Sequence, residues 1–247
     1  MVHAFFDPAQ TATLQELSLR RDSTFEIKYF GLHGLGAMCR LLLAVSGASF
    51  KSVAPAEWAV EKSKTPFGLI PILTETSADG SKTIKIAESD AIVRYLAKKF
   101  GMIGDNAFEE VLVDTFVGHT HALNGQIYLK YLAYTDASYA ELKRDNKEKL
   151  VTGPMADWAK YHEEHLKANG SNGHYVANKL TLADLMTAQL VVIIQSITGE
   201  DLVSKEKTPA IWKVKTTVEE IPSYAAWRAT EEYKALSERN FNILGFH

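Results

Sequence analysis

A phenol closes a short apolar run. Phe25-Glu26-Ile27-Lys28-Tyr29-Phe30 is mostly of period two, the spacing of a strand, and a glycine-rich stretch follows, Gly31-Leu32-His33-Gly34-Leu35-Gly36. Helical spacing then runs from Leu35 to Ser46, with Met38, Leu41, Leu42 and Val45 on one side. A tyrosine at a strand end is ordinarily a packed aromatic. The sharper reading makes the Tyr29 hydroxyl a hydrogen-bond donor to an anion above the helix start, and in particular to a ligand thiolate. Only the thiolate form of a thiol attacks, and one charge-assisted bond in a partly dry site favours it.

Further along, Thr65-Pro66-Phe67-Gly68-Leu69-Ile70-Pro71 precedes the strand-like run Ile72-Leu73-Thr74-Glu75. Proline cannot donate to a sheet ladder. A tight turn with a cis Ile70–Pro71 bond resolves this and turns the main-chain groups of Leu69 and Ile70 toward an extended ligand, as in strand addition. Glu88-Ser89 stands before a helix, whose start favours a carboxylate, while Glu88 could accept an ammonium group. The bland role for Ser89 is a helix cap. Trp58 and Lys62 are four apart, so on a helix they share a face and could hold a second carboxylate. Their bland roles are core and solvated surface.

Rival motifs carry less. Gly31, Gly34 and Gly36 lack the dinucleotide spacing. His162-Glu163-Glu164-His165 lacks the zinc spacing and is expected to be a solvated helix face. His119 and His121 are two apart and diverge on a helix, so no metal site is expected there. Cys39 has no partner cysteine and is expected to be a buried small hydrophobe.

The elements around these residues fall into two groups. From 25 to about 101, strand and helix patterns alternate: strands near Phe25–Phe30, Phe50–Val53, Ile70–Glu75 and Thr83–Ala87, a turn at Asp79-Gly80, and a helix from Ser89 to Lys99. That order predicts a small α/β domain with a mixed sheet. Beyond Asn106 only helical patterns remain: Glu109 to Tyr134, Tyr139 to Leu150, Pro154 to Ala168, Leu182 to Ile197, Pro209 to Glu220 and Ser223 to Ser237. The expected division is residues 1–24 as an ordered or frayed extension, 25–104 as the α/β domain and 105–247 as an all-α domain. In the extension, Asp7-Pro8 would cap a short helix carrying Leu14, Leu17 and Leu19. Composition is that of a globular chain, 46% hydrophobic and 23% charged, and a net charge of -3 gives no reason to expect nucleic-acid binding. No apolar run approaches bilayer length, no secretory signal is evident, and a single cysteine fits a reducing, cytoplasmic compartment.

In this order and spacing the pieces resemble the cytosolic glutathione transferases, most nearly the sigma class with its prostaglandin D synthases and lens S-crystallins. Tyr29-Phe30 is similar to that class's strand end, and Trp58, Lys62 and Thr65 to Leu73 to its glutathione-binding segment. Glu88-Ser89 with Ala91 to Leu96 resembles the segment that grips the γ-glutamyl end, although glutamine is commoner where Glu88 stands. Leu180-Thr181-Leu182-Ala183-Asp184 resembles the family's capping box, and Ile221-Pro222-Ser223-Tyr224 with Trp227 its last helix. The resemblance implies a thioredoxin-like first domain and glutathione as substrate, with no metal. Tyr29 would activate the thiol. Trp58 and Lys62 would hold the glycyl carboxylate; Leu69 and Ile70, before Pro71, the cysteinyl backbone; Glu88 and Ser89 the γ-glutamyl group. Phe30, Leu32 and Leu35 would line a pocket for an apolar electrophile or peroxide. A homodimer with a detoxifying role is also implied.

Three departures stand out. Leu35 replaces an arginine that the class often carries near the thiolate, Gly118 stands near where an aspartate would reach a partner subunit's site, and an acidic metal-binding cluster is reduced to Asp114. These weaken thiol activation and speak against prostaglandin synthesis. The alternative is a weakly active or inactive structural protein of the crystallin type; a translation elongation factor subunit is a third reading.

Overall fold

The computed structural model describes residues 10–244; the Asp7-Pro8 cap lies outside them. The chain forms α1 (Gln10–Leu19), β1 (Thr24–Lys28), α2 (Ala37–Ser46), β2 (Phe50–Val53), α3 (Trp58–Glu61), β3 (Ile72–Thr76), β4 (Thr83–Ala87) and α4 (Ser89–Lys99). The sheet runs β2-β1-β3-β4, with β1 parallel to β2 and antiparallel to β3, and β3 antiparallel to β4. The expected mixed sheet is therefore present. β3 starts at Ile72 rather than Ile70, since Pro71 has no N–H to give the ladder.

Two compact units result. One contains the chain through Phe100 together with Pro222–Asn240; the other is built on Gly101–Ile221. The single last helix expected over 223–237 is two, α10 (Pro222–Arg228) and α11 (Glu231–Leu244). Thr230 divides them: its hydroxyl accepts the Tyr233 N–H at 3.2 Å and so starts a new helix. Helix α10, and α11 as far as Asn240, cluster with the α/β unit, and the end of α11 from Phe241 with the helical one.

In the first unit, Phe25, Ile27, Leu73, Glu75 and Ile84 are buried, and the register pairs Phe25 with Glu75, Ile27 with Leu73 and Glu75 with Ile84. Glu75 is the odd member of this apolar face. Its carboxylate accepts the Tyr95 hydroxyl at 2.6 Å and lies 2.9 Å from the Lys99 ammonium, both from α4. The second contact is an ion pair by distance without hydrogen-bond alignment, since that carboxylate oxygen accepts no hydrogen bond. Burial, and then the bond to Glu75, pushes the Tyr95 phenol upward. Lys99 also donates to the carbonyl of Leu17, whose side chain is fully buried. Helix α1 is thus tied to the core of this unit, and Lys82 pairs with Glu16 on its outer side.

The second unit contains α5 (Ala107–Ile127), α6 (Ala140–Leu150), α7 (Ala156–Ala168), α8 (Leu182–Thr198) and α9 (Pro209–Glu219). The helix expected to reach Tyr134 widens into a π turn at Tyr128–Leu132, and a second π turn, Val151–Met155, contains Pro154, whose missing N–H breaks the regular ladder. Helix α8 opens on the expected capping box of Thr181 and Asp184, and Asp184 also accepts the Tyr175 N–H at 2.9 Å.

The stretch His162–His165 is not a solvated face. Helix α7 buries Trp158, Ala159, His162, Glu163 and Leu166, an inner stripe in which two polar residues occupy core positions. The Glu163 carboxylate accepts the N–H groups of Ala210 and Ile211 at 3.0–3.1 Å, where α9 begins. His162 bridges His119, 3.0 Å from Nε2, and the Tyr175 hydroxyl, 2.6 Å from Nδ1; that hydroxyl accepts from Thr187 at 3.1 Å. So His119, rather than standing alone on its helix, has an imidazole partner.

Burial holds His162 down to about 3, against an ordinary 6.5, with His119 and His165 adding to the effect. A depressed histidine is bound neutral when folded, so the unfolded chain takes up the proton first. Stability is then lost as pH falls below 6.5 toward 3, at up to about 1.4 kcal/mol per pH unit. Between pH 6.5 and 5 the native protein is expected to lose roughly 2 kcal/mol that His162→Gln retains. Urea titrations at both pH values check this; parallel losses in the two proteins would remove His162 as the cause.

Candidate functional site

The sheet register builds the site. Lys28 at the end of β1 pairs with Val53, the end of β2, and with Ile72, the start of β3; Ile72 in turn pairs with Ala87, the end of β4. The residues one step beyond, Tyr29, Pro71 and Glu88, therefore leave the sheet at the same end. Three segments far apart in sequence meet there because two antiparallel pairings and one parallel pairing share this row.

Tyr29 is 8% exposed, and its N–H still bonds to the Val53 carbonyl at 3.0 Å. Its hydroxyl accepts the Leu35 N–H at 3.1 Å. That bond needs the tight turn Gly34–Gly36 that precedes α2. Gly34 has φ +39, and a Cβ there would come within 2.7 Å of the Tyr29 oxygen. The glycines noted in the sequence thus shape the turn around a phenol.

The Ile70–Pro71 bond is cis, as expected. Among the described residues, the main-chain groups of Leu69 and Ile70 have no hydrogen-bond partner; Leu69 is exposed and Ile70 buried. Glu88 has φ 71 and ψ 121, a backbone conformation that costs a residue with a side chain about 1–3 kcal/mol and is typical of functional turns. Ser89 then opens α4 one position inside the cap residue Glu88, which makes no side-chain capping bond.

Trp58 lies edge-on to Phe30 with ring centres 5.6 Å apart, and Phe30 in turn meets Tyr29 at 5.5 Å. Lys62 is exposed, its stem passing over Gly68. Glu61 holds this segment: it pairs with Lys28 at 2.8 Å and accepts the Ala56 N–H at 2.8 Å. The bond from Lys28 keeps the Glu61 carboxyl below its usual range. Phe30 and Leu32 are half-buried, and Leu35 is 56% exposed.

Comparison with known proteins decides the family. The model of the glutathione S-transferase C-terminal domain matches residues 126–231. A probable glutathione S-transferase of Caenorhabditis elegans is 30% identical over 167 residues, covering 67% of this chain and 77% of that protein. The chain belongs to the glutathione S-transferase family. A haematopoietic prostaglandin D synthase from Gallus gallus is 29% identical, over 82% of this chain and 94% of that one. A solved sigma class transferase from Fasciola hepatica shares the fold, with a TM-score of 0.70, 24% identity, and coverage of 85% of this chain and 99% of the other.

In this transferase three features of the site escaped the sequence reading. Glu61 is one. Arg40 is another, buried in α2 and bonded to the carbonyls of Phe30, Leu32 and His33; its signal was a lone charge in an otherwise apolar helix. The third is α11, which covers the loop after Tyr29. His33 bonds to the Ser237 hydroxyl at 2.9 Å and lies 4.9 Å from the Tyr233 ring, and burial holds its imidazole down to about 4. A cavity of about 170 Å³ remains between α11 and this loop, lined by Tyr29, Phe30, Arg40, Ser52, Glu232 and Arg239 among others. Cys39 is buried beside Arg40, and burial pushes its thiol up to about 12 despite the neighbouring guanidinium.

Proposed function

We propose that this family member conjugates glutathione to apolar electrophiles, with Tyr29 stabilising the thiolate. The observation that carries this is the Tyr29 hydroxyl at the shared sheet end, accepting the Leu35 N–H. A phenol that accepts such a bond becomes a stronger donor to an anion. The sulfur then forms a bond to electrophilic carbon as the leaving group departs with its electron pair. Trp58 and Lys62 hold the glycyl carboxylate in this reading. Leu69 and Ile70, before Pro71, pair with the cysteinyl backbone, in line with their unpartnered main-chain groups, and Glu88 and Ser89 take the γ-glutamyl end. Phe30, Leu32 and Leu35 line the electrophile pocket. A storage role of the crystallin type gains no support from a polar, shaped site.

Calorimetry with glutathione and rate assays over a panel of electrophiles test the proposal; no binding and no turnover would end it. We place the protein in the cytoplasm as a homodimer. Phe108 and Val111 leave α5 71% and 60% exposed, an apolar face suited to a second copy; a monomer in sedimentation would refute the dimer. No helix among the described residues is long and apolar enough to cross a membrane.

Leu35 offers a direct test of charge at the sulfur. Its N–H reaches the phenol, but its side chain brings no cation. Leu35→Arg is expected to lower the pH midpoint of bound glutathione's thiol by about one unit, because a nearby cation favours the charged form. The thiolate's ultraviolet absorbance against pH measures it. An unchanged midpoint with binding intact would mean that residue 35 does not face the sulfur.

A further inference from the structure

We infer that Arg40 is a positioning residue for this site: its guanidinium shapes the loop around Tyr29 and lends a buried positive charge that favours the glutathione thiolate. The inference rests on the function proposed above.

The geometry is specific. Arg40 is 1% exposed. Its Nε donates to the Ser52 hydroxyl at 2.8 Å, Nη1 to the carbonyls of Leu32 at 2.9 Å and His33 at 3.4 Å, and Nη2 to the Phe30 carbonyl at 3.3 Å. Every acceptor is neutral. Among the described residues no carboxylate comes within ion-pairing distance of it, whereas buried cations are usually paired. Carbonyls and a hydroxyl solvate the charge without cancelling it, and arginine does not give up its proton. The charge is therefore delivered to its surroundings.

Those surroundings are the Tyr29 ring, whose centre is 5.8 Å from the guanidinium carbon. Gly36 makes the approach possible: a Cβ there would come within 2.9 Å of both Arg40 Nη1 and a carbon of the Tyr29 ring. The three carbonyls that Arg40 holds belong to the segment that links Tyr29 to the turn carrying Leu35. One side chain thus sets both the shape and the potential at the phenol. The other titratable or charged groups about it are Tyr29 and His33 on the strand end and loop, Cys39 on its own helix, and Glu232 and Arg239 of α11. Of these Glu232 opposes its charge.

The test compares native protein, Arg40→Met and Arg40→Lys, each saturated with glutathione. In Arg40→Met the thiol midpoint is expected to rise by about one pH unit, while Arg40→Lys stays near native. Turnover by Arg40→Met at pH 6.5 should fall about tenfold, with KM for glutathione little changed, and the deficit should close as pH rises. A loss of the same size at every pH, with an unmoved midpoint, would show that Arg40 only holds the loop and would overturn the inference. Should Arg40→Met fail to fold, Glu232→Gln decides. Removing that carboxylate should lower the midpoint; no change sinks the inference. Native protein that binds no glutathione in calorimetry would instead defeat the proposed function itself.

Discussion

Replacing Tyr29 by phenylalanine is expected to slow conjugation by about 10²–10³ and to leave glutathione affinity within a few-fold. The ring stays, with its contacts to Phe30 and Arg40. What goes is the oxygen that accepts the Leu35 N–H. Most binding contacts in the proposed pose lie at Trp58, Lys62, Ile70, Glu88 and Ser89, so affinity should persist. The sulfur alone loses its donor, and its midpoint should rise. Single-turnover rates and calorimetry on the same preparation separate the two effects. Equal rates across an electrophile panel would remove Tyr29 from the chemistry.

A second large effect is expected far from the sulfur. Lys99→Met should destabilise the α/β unit by about 3–5 kcal/mol, the usual result of removing one partner from a buried ion pair. The Lys99 and Glu75 side chains are both wholly shielded from solvent. After the change Glu75 keeps the Tyr95 hydroxyl but no cation, and the Leu17 carbonyl loses the ammonium while keeping the Arg20 N–H at 3.0 Å. Glu75→Gln in the same background should recover part of the loss, since an amide tolerates burial better than an unpaired carboxylate. Urea midpoints of the native, single and double variants measure this; a single variant within 1 kcal/mol of native would contradict it.

The α/β unit was largely legible because its signals are local. Period two in Phe25–Lys28 and Thr83–Ala87, Asp79-Gly80 between strands, and Ser89–Lys99 all became the expected elements. The helical unit was legible in its long apolar periods and in the Thr181–Asp184 box. Failures came where polar letters occupy inner positions. His162 and Glu163 look like surface until Tyr175, His119 and the start of α9 supply their partners, and those partners are distant in sequence. Glu75 and Lys99 hid for the same reason. At the candidate site, Tyr29, Pro71 and Glu88 stand one step beyond the same row of the sheet, whereas Arg40 and Glu61 act through loop carbonyls and amides that only the folded chain brings near. The break at Thr230 was missed because a cap inside a helical pattern is a weak signal beside the period itself.

Cys39 is the chain's one cysteine, and its sulfur is enclosed in α2 with its thiol held in the protonated form at neutral pH. Reaction with alkylating agents needs an exposed thiolate. In the proposed conjugation, the catalyst would thereby be spared self-inactivation by its own electrophiles. In the loaded protein, an alkylating dye would count the ligand's sulfur and nothing else.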